Sequence, residues 1–159
     1  CLWGHYIDWP KLSAADIELL DKAADKLRGE LLAFGKDADR YGIIHADLMP
    51  SNVLVDGDVF QIIDFDDSGF GWHLYELATS LFMQELDDIR PQLIAAWVKG
   101  YRSERPLAEE HLAMVPAFVM ARRLKIMGWM SSRQNVEIVQ EYGDILTETC
   151  LQIAADYVK

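Results

Sequence analysis

His45, Asp47, Asn52 and Asp64 fall within the stretch Tyr41 to Gly71, which reads YGIIHADLMPSNVLVDGDVFQIIDFDDSGFG. Their order is H-x-D, four residues, N, then a turn and I-D-F. Phosphoryl transfer asks for these residue types. It needs a carboxylate to orient an incoming hydroxyl and take its proton, and hard oxygen ligands to hold a divalent cation against phosphate groups. Asp47 is the candidate for the first task, Asn52 and Asp64 for the second. His45, Asp66 and Glu76 are supporting candidates. His45 is read as a hydrogen-bonded scaffold of the loop, and Asp66 as an auxiliary acid near the metal.

The spacing gives the set its specificity. Five positions from Asp47 to Asn52, with Pro50 between, let one tight loop aim two side chains at a common point. Val53 to Ile63 contains Asp56-Gly57-Asp58, a strong hairpin signal between two apolar runs. Such a hairpin returns Asp64 to the loop that began it. An isolated H-x-D or D-F-D would carry little information; the ordered set carries much more.

The surrounding elements read as follows. Residues 13 to 34 form an amphipathic helix that opens on Ser13 and Asp16, with Ile17, Leu20, Ala24, Leu27 and Leu31 at helical spacing. Tyr41 to Ile44 is a short strand. From Trp72 onward the pattern is helical: His73 to Gln84, Ile89 to Arg102, Glu109 to Arg133 and Val136 to Tyr157. Pro91 is tolerated in a first turn, whereas Pro116 breaks or kinks the third stretch. The expected fold class is α+β, mostly α, with a small β-hairpin carrying the catalytic and metal loops. Residues 1–159 are read as a single domain with those loops at 41–71 and a helical subdomain at 72–159.

Composition narrows the function classes. A chain of 159 residues with 51% hydrophobic and 26% charged content suits an ordered globular domain. Its formal charge of -11 disfavours a grip on nucleic acid or anionic lipid and suits a cationic small substrate, although such surfaces also serve solubility. No apolar run approaches the roughly 18 to 20 residues of a membrane span. Two cysteines, Cys1 and Cys150, give no disulfide framework and point to a reducing cytoplasm, with Cys150 as a small core residue. Trp72, Trp97 and Trp129 are read as core or groove residues before an aromatic cage. Arg122 and Arg123 leave a helix about 100° apart, so at most one faces a site.

The Tyr41 to Phe82 region resembles the aminoglycoside phosphotransferase and choline kinase group, distant relatives of the protein kinases. The resemblance implies the C-terminal lobe of a kinase-like fold and transfer of the γ-phosphate of ATP, with Mg2+, to a hydroxyl of a small molecule. It implies Asp47 as the catalytic-loop aspartate, Asn52 and Asp64 as metal ligands, and Phe65-Asp66 where protein kinases have Phe-Gly. Glu76 stands where the family has Asp, on a helix that braces the catalytic loop. The final helices resemble the substrate-side subdomain. The acceptor stays open among aminoglycosides, choline or ethanolamine, homoserine, sugars and macrolides.

Two features of a complete enzyme of this type are not visible: a glycine-rich loop over the phosphates and a strand lysine paired with a helix glutamate. Gly69 and Gly71 follow the metal loop and do not precede the catalytic one. With Cys1 in place of an initiating methionine, the expectation is a lobe whose N-terminal nucleotide-binding partner is missing, inactive or nearly so alone. A protein Ser/Thr kinase of the same fold and a non-catalytic, degenerate kinase-like binding module remain as alternatives.

Overall fold

The computed structural model describes residues 4–159, so Cys1 lies outside the described residues. Five α-helices and four short strands account for most of the described residues. The architecture is α+β and mostly α, as the sequence leads one to expect. By their contacts the residues fall into two compact units. One takes the chain up to Gly35 together with Met120–Lys159, and the other is Lys36–Val119. The reading of one undivided domain contains no such division.

In the first unit, α1 (Ala14–Phe34) opens on a capping box: Asp16 N donates to Ser13 Oγ, and Ser13 N donates back to Asp16 Oδ2. Gly35 closes the helix at φ 74°. Leu20, Ala24, Leu27 and Leu31, the apolar positions read from the sequence, are buried. α1 packs along α5 (Glu137–Tyr157), whose Val139, Cys150 and Ala154 are buried as well. The buried Trp9 indole donates to Thr147 Oγ1 at 2.9 Å and fixes the start of the pair. Cys150 is a small core residue, as expected.

The second unit holds all four strands. β1 (Tyr41–Ile44) pairs antiparallel with β4 (Gly69–Trp72), and β2 (Val53–Asp56) pairs antiparallel with β3 (Val59–Ile62). The hairpin turns on Gly57 and Asp58, with Gly57 at φ 58°, the left-handed conformation that a two-residue turn compatible with strand twist requires. β4 is absent from the sequence reading. Its alternation of glycine and aromatic puts Phe70 and Trp72 on the face of Tyr41 and Ile43, and the two glycines on the other. Gly71 is needed there, because a Cβ on it would lie 2.4 Å from Ile44 Cδ1, whereas a Cβ on Gly69 would meet nothing within 4 Å.

Helices α2 (Leu74–Ser80) and α3 (Arg90–Glu104) follow, with Pro91 in the first turn of α3. α2 is shorter than the His73 to Gln84 periodicity suggests. Glu109 to Arg133 is likewise not one helix. A 3-10 helix, Glu109–Met114, gives way to α4 (Val115–Ser132), and Pro116 is its second residue, where a missing N–H costs nothing. Met120 marks the passage of α4 from one unit to the other. Arg122 and Arg123 are both buried.

Candidate active site

The β1–β4 ribbon is the base of the site. Ile44 pairs with Gly69, so the chain leaves the ribbon at His45 and returns to it at Ser68. Everything between is the candidate catalytic loop, the hairpin and the candidate metal loop. Tyr41 and Trp72, at the far end, meet edge to face at 5.3 Å.

His45 is buried and ties three segments together. Its Nδ1 accepts from the backbone N–H of Asp47 at 3.3 Å, which leaves Nε2 to carry the proton and donate to Ile63 O at 3.0 Å. Its ring also lies 4.7 Å from that of Phe65. Both ring nitrogens are thus committed to backbone groups.

Asn52 is buried beside it. Its Nδ2 donates to Asp47 O at 2.8 Å and to Asp47 Oδ2 at 3.2 Å, which brings the catalytic-loop carboxylate and the amide together. The amide nitrogen thus faces Asp47, and Oδ1 remains as the acceptor end. Met49 N donates to Asp47 O and Asn52 N to Met49 O, so the Pro50–Asn52 turn closes on itself and sets the spacing.

Asp64 follows a residue held at both ends. Ile63 N donates to Asn52 O at 3.0 Å while Ile63 O accepts from His45. Asp64 itself has φ 64°, a left-handed conformation rare outside glycine, asparagine and aspartate. The carboxylates of Asp64, Asp66 and Asp67 are on exposed residues. The hairpin therefore returns the chain to the catalytic loop by way of Ile63.

Glu76 reaches the loop from α2. Its Oε1 accepts from Ala46 N at 2.8 Å, and Ala46 has φ 66°. Thr79, fully buried one turn later, donates to Glu76 O at 2.8 Å and lies 3.5 Å from Leu48 O. The sequence reading names neither Ala46 nor Thr79. Ala46 carried a weak signal, as the small residue inside H-x-D. A threonine inside an apolar helix carries none.

The donor set suits a hard divalent cation. Asn52 offers a carbonyl oxygen and Asp64 a carboxylate. Among the described residues no group of three or more His, Cys, Asp or Glu side chains could hold a metal ion unaided. Trp72 lies against Tyr41 and 6.2 Å from Phe118, and Trp97 stacks on Tyr101. Among the described residues no helix is long and apolar enough to cross a membrane.

Comparison with known proteins follows the same lines. The sequence profile of the phosphotransferase enzyme family (APH) matches residues 3–109. A homoserine kinase of Neisseria meningitidis serogroup B is 35% identical over 126 residues, which is 77% of this chain and 39% of that protein. A solved microcompartment-associated aminopropanol kinase superposes on 98% of this chain with a TM-score of 0.79 and 36% identity, over 47% of its own length. An amicoumacin kinase solved in complex with AMP-PNP, Ca2+ and Ami shares the fold at 20% identity and a TM-score of 0.69, across 92% of this chain and 46% of that one. The chain thus spans less than half the length of each.

Proposed function

Because the chain belongs to the APH phosphotransferase enzyme family, we propose that it is the catalytic lobe of an ATP-dependent phosphotransferase acting on a hydroxyl of a small molecule. The observation that carries this reading is the clamp around Ile63. His45 and Asn52 hold its two backbone groups, and Asn52 also bonds Asp47, so the three segments bearing Asp47, Asn52 and Asp64 are one hydrogen-bonded unit.

In this reading Asp47 Oδ accepts the proton of the acceptor hydroxyl as its oxygen attacks the γ-phosphorus, while the bond to the ADP oxygen breaks on the far side. The amide of Asn52 holds the Asp47 carboxylate in one orientation through Nδ2, and its Oδ1 would be the oxygen offered to the cation. Asp64 supplies the second protein oxygen. Bound Mg2+ would neutralise charge on the phosphates and keep them in line. His45 and Glu76 fix the loop backbone and touch no reacting atom.

An amino alcohol is the acceptor class best supported. Homoserine and aminopropanol, the molecules in the names of two relatives, each carry an amine beside a hydroxyl, and a chain of net charge -11 attracts a cation. The chain spans less than half the length of these relatives, so the reading applies to the parent protein. In this reading the chain alone is nearly inactive.

The test is phosphate transfer from Mg-ATP to homoserine or aminopropanol by the full-length parent. Asp47→Ala should lower turnover by at least about 10²-fold, as loss of a positioned base does. Turnover equal to wild type overturns the assignment. Label appearing on protein and on neither small molecule points to a protein kinase on this fold.

A further inference from the structure

Two side chains of α2, one helical turn apart, reach backbone groups on either side of Asp47. Glu76 accepts the N–H of Ala46 at 2.8 Å, and Thr79 offers its hydroxyl to the carbonyl of Leu48 at 3.5 Å. Residues three apart share a helix face, so one face of α2 presents an acceptor to a donor of the loop and a donor to an acceptor of the loop. Leu48 is also the centre of a three-residue turn, because Met49 N donates to Asp47 O at 2.8 Å. Its carbonyl is therefore a handle on the turn that follows Asp47.

Thr79 is fully buried, beside the buried Leu77 and Ala78 of the same helix. A hydroxyl in such a place needs an acceptor, and Glu76 O at 2.8 Å satisfies it. That back-bond asks nothing of the loop, and Ser80 makes one of the same kind to Leu77 O at 2.8 Å. Thr79 has the Leu48 carbonyl within reach as well, so its single proton is shared, short to the helix and long to the loop. We propose that Thr79 is a positioning residue for phosphate transfer: its hydroxyl holds Leu48 O and, together with Glu76, fixes the backbone that aims Asp47. The inference rests on reading Asp47 as the group that takes the proton of the acceptor. Thr79 acts through Leu48 and touches no reacting atom, so its loss shows in turnover and not in binding. A displacement of about 1 Å at a reacting group can cost about 10²-fold in rate, which makes a loosened turn costly.

The experiment is steady-state kinetics of the full-length parent with Mg-ATP and homoserine or aminopropanol, with kcat normalised to the folded fraction, beside hydrogen exchange of the peptide spanning residues 45–52. Thr79→Val exchanges the hydroxyl for a methyl and keeps the shape. It should lower kcat by about tenfold, leave both KM values nearly unchanged and speed exchange in the loop. Thr79→Ser keeps the hydroxyl and should recover most of that kcat, although the lost methyl lowers its melting temperature. Thr79→Ala set against Thr79→Ser repeats the comparison without the new methyl, should the valine prevent folding. Ser80→Ala removes a back-bond of the same kind and should leave kcat and loop exchange as in wild type. A wild-type kcat in Thr79→Val overturns the proposal. Equal losses in Thr79→Val and Thr79→Ser assign the effect to packing, an equal loss in Ser80→Ala assigns it to the helix, and either overturns it too. Wild-type turnover in Asp47→Ala, with loop exchange still faster in Thr79→Val, counts against the proposed reaction and leaves the hold of Thr79 on the loop standing.

Discussion

The backbone N–H of Ala46 donates to Glu76 Oε1 at 2.8 Å, so a carboxylate on α2 holds the residue between His45 and Asp47 in a left-handed conformation. For alanine that conformation costs about 1 to 2 kcal/mol, which a charge-assisted hydrogen bond can offset. Glu76→Ala should therefore destabilise the chain by about 1.5 to 3 kcal/mol, measured by chemical denaturation. Glu76→Gln keeps an acceptor oxygen and should lose less. In the full-length parent, Glu76→Ala should lower kcat through the misplaced Asp47 and leave the acceptor KM nearly unchanged. An unaltered denaturation midpoint for Glu76→Ala would show that the bond supports nothing.

At the ribbon, Ile44 occupies the space that a side chain on Gly71 would need. A Cβ there would meet Ile44 Cδ1 at 2.4 Å and Cγ1 at 2.9 Å. Gly71→Ala should cost about 1 to 3 kcal/mol, as overpacking does. Ile44→Val removes Cδ1 and should be mild alone, yet it should recover part of the loss when combined with Gly71→Ala. Strictly additive costs in that cycle would mean that the two positions do not compete for space.

Local chemistry was legible wherever it is written in neighbouring residues. The Ser13 and Asp16 box, the Asp56-Gly57-Asp58 turn, Pro91 and Pro116 each act within a few positions, and each appears where its residues predict. The order of Asp47, Asn52 and Asp64 was legible for the same reason, since one turn and one hairpin join them. β4 was not, because Gly69-Phe70-Gly71-Trp72 makes sense as a strand only opposite Tyr41–Ile44, a partner distant in sequence. The holding of Ala46 by Glu76 depends on α2 arriving at the loop. The resemblance placed Glu76 on a bracing helix, but no spacing in the sequence could name the atom it would bond.

The cation site can be read by metal binding alone. With Mn2+ as a probe in the full-length parent plus a non-hydrolysable nucleotide, Asp64→Asn should weaken metal retention by about tenfold or more, since even an outer-shell partner loses that much. Asn52→Leu should weaken it too, and should also free the Asp47 side chain from its Nδ2 bond. Asp66→Asn should have a smaller effect if Asp66 is only an auxiliary acid. Equal Mn2+ affinity in wild type and Asp64→Asn would remove Asp64 from the ligand set.

His73 closes β4 and begins α2, and its folded state prefers the neutral ring. Burial lowers its pKa below the ordinary 6.5, and the Arg105 guanidinium lowers it further. Asp39 opposes both through its carboxylate and through its backbone carbonyl, 3.3 Å from Nδ1, while the Tyr101 ring lies 6.5 Å away. Above about pH 6.5 the ring is neutral folded or unfolded and contributes nothing to the pH dependence. As pH falls below that value the unfolded chain takes a proton and the folded one does not, so stability drops until the lowered folded value is reached. His73→Asn keeps a donor near Asp39 O but cannot titrate. Urea midpoints taken at about pH 7.5 and about pH 5 should therefore fall more for wild type than for His73→Asn. Equal falls in both proteins would assign the acid sensitivity to other groups.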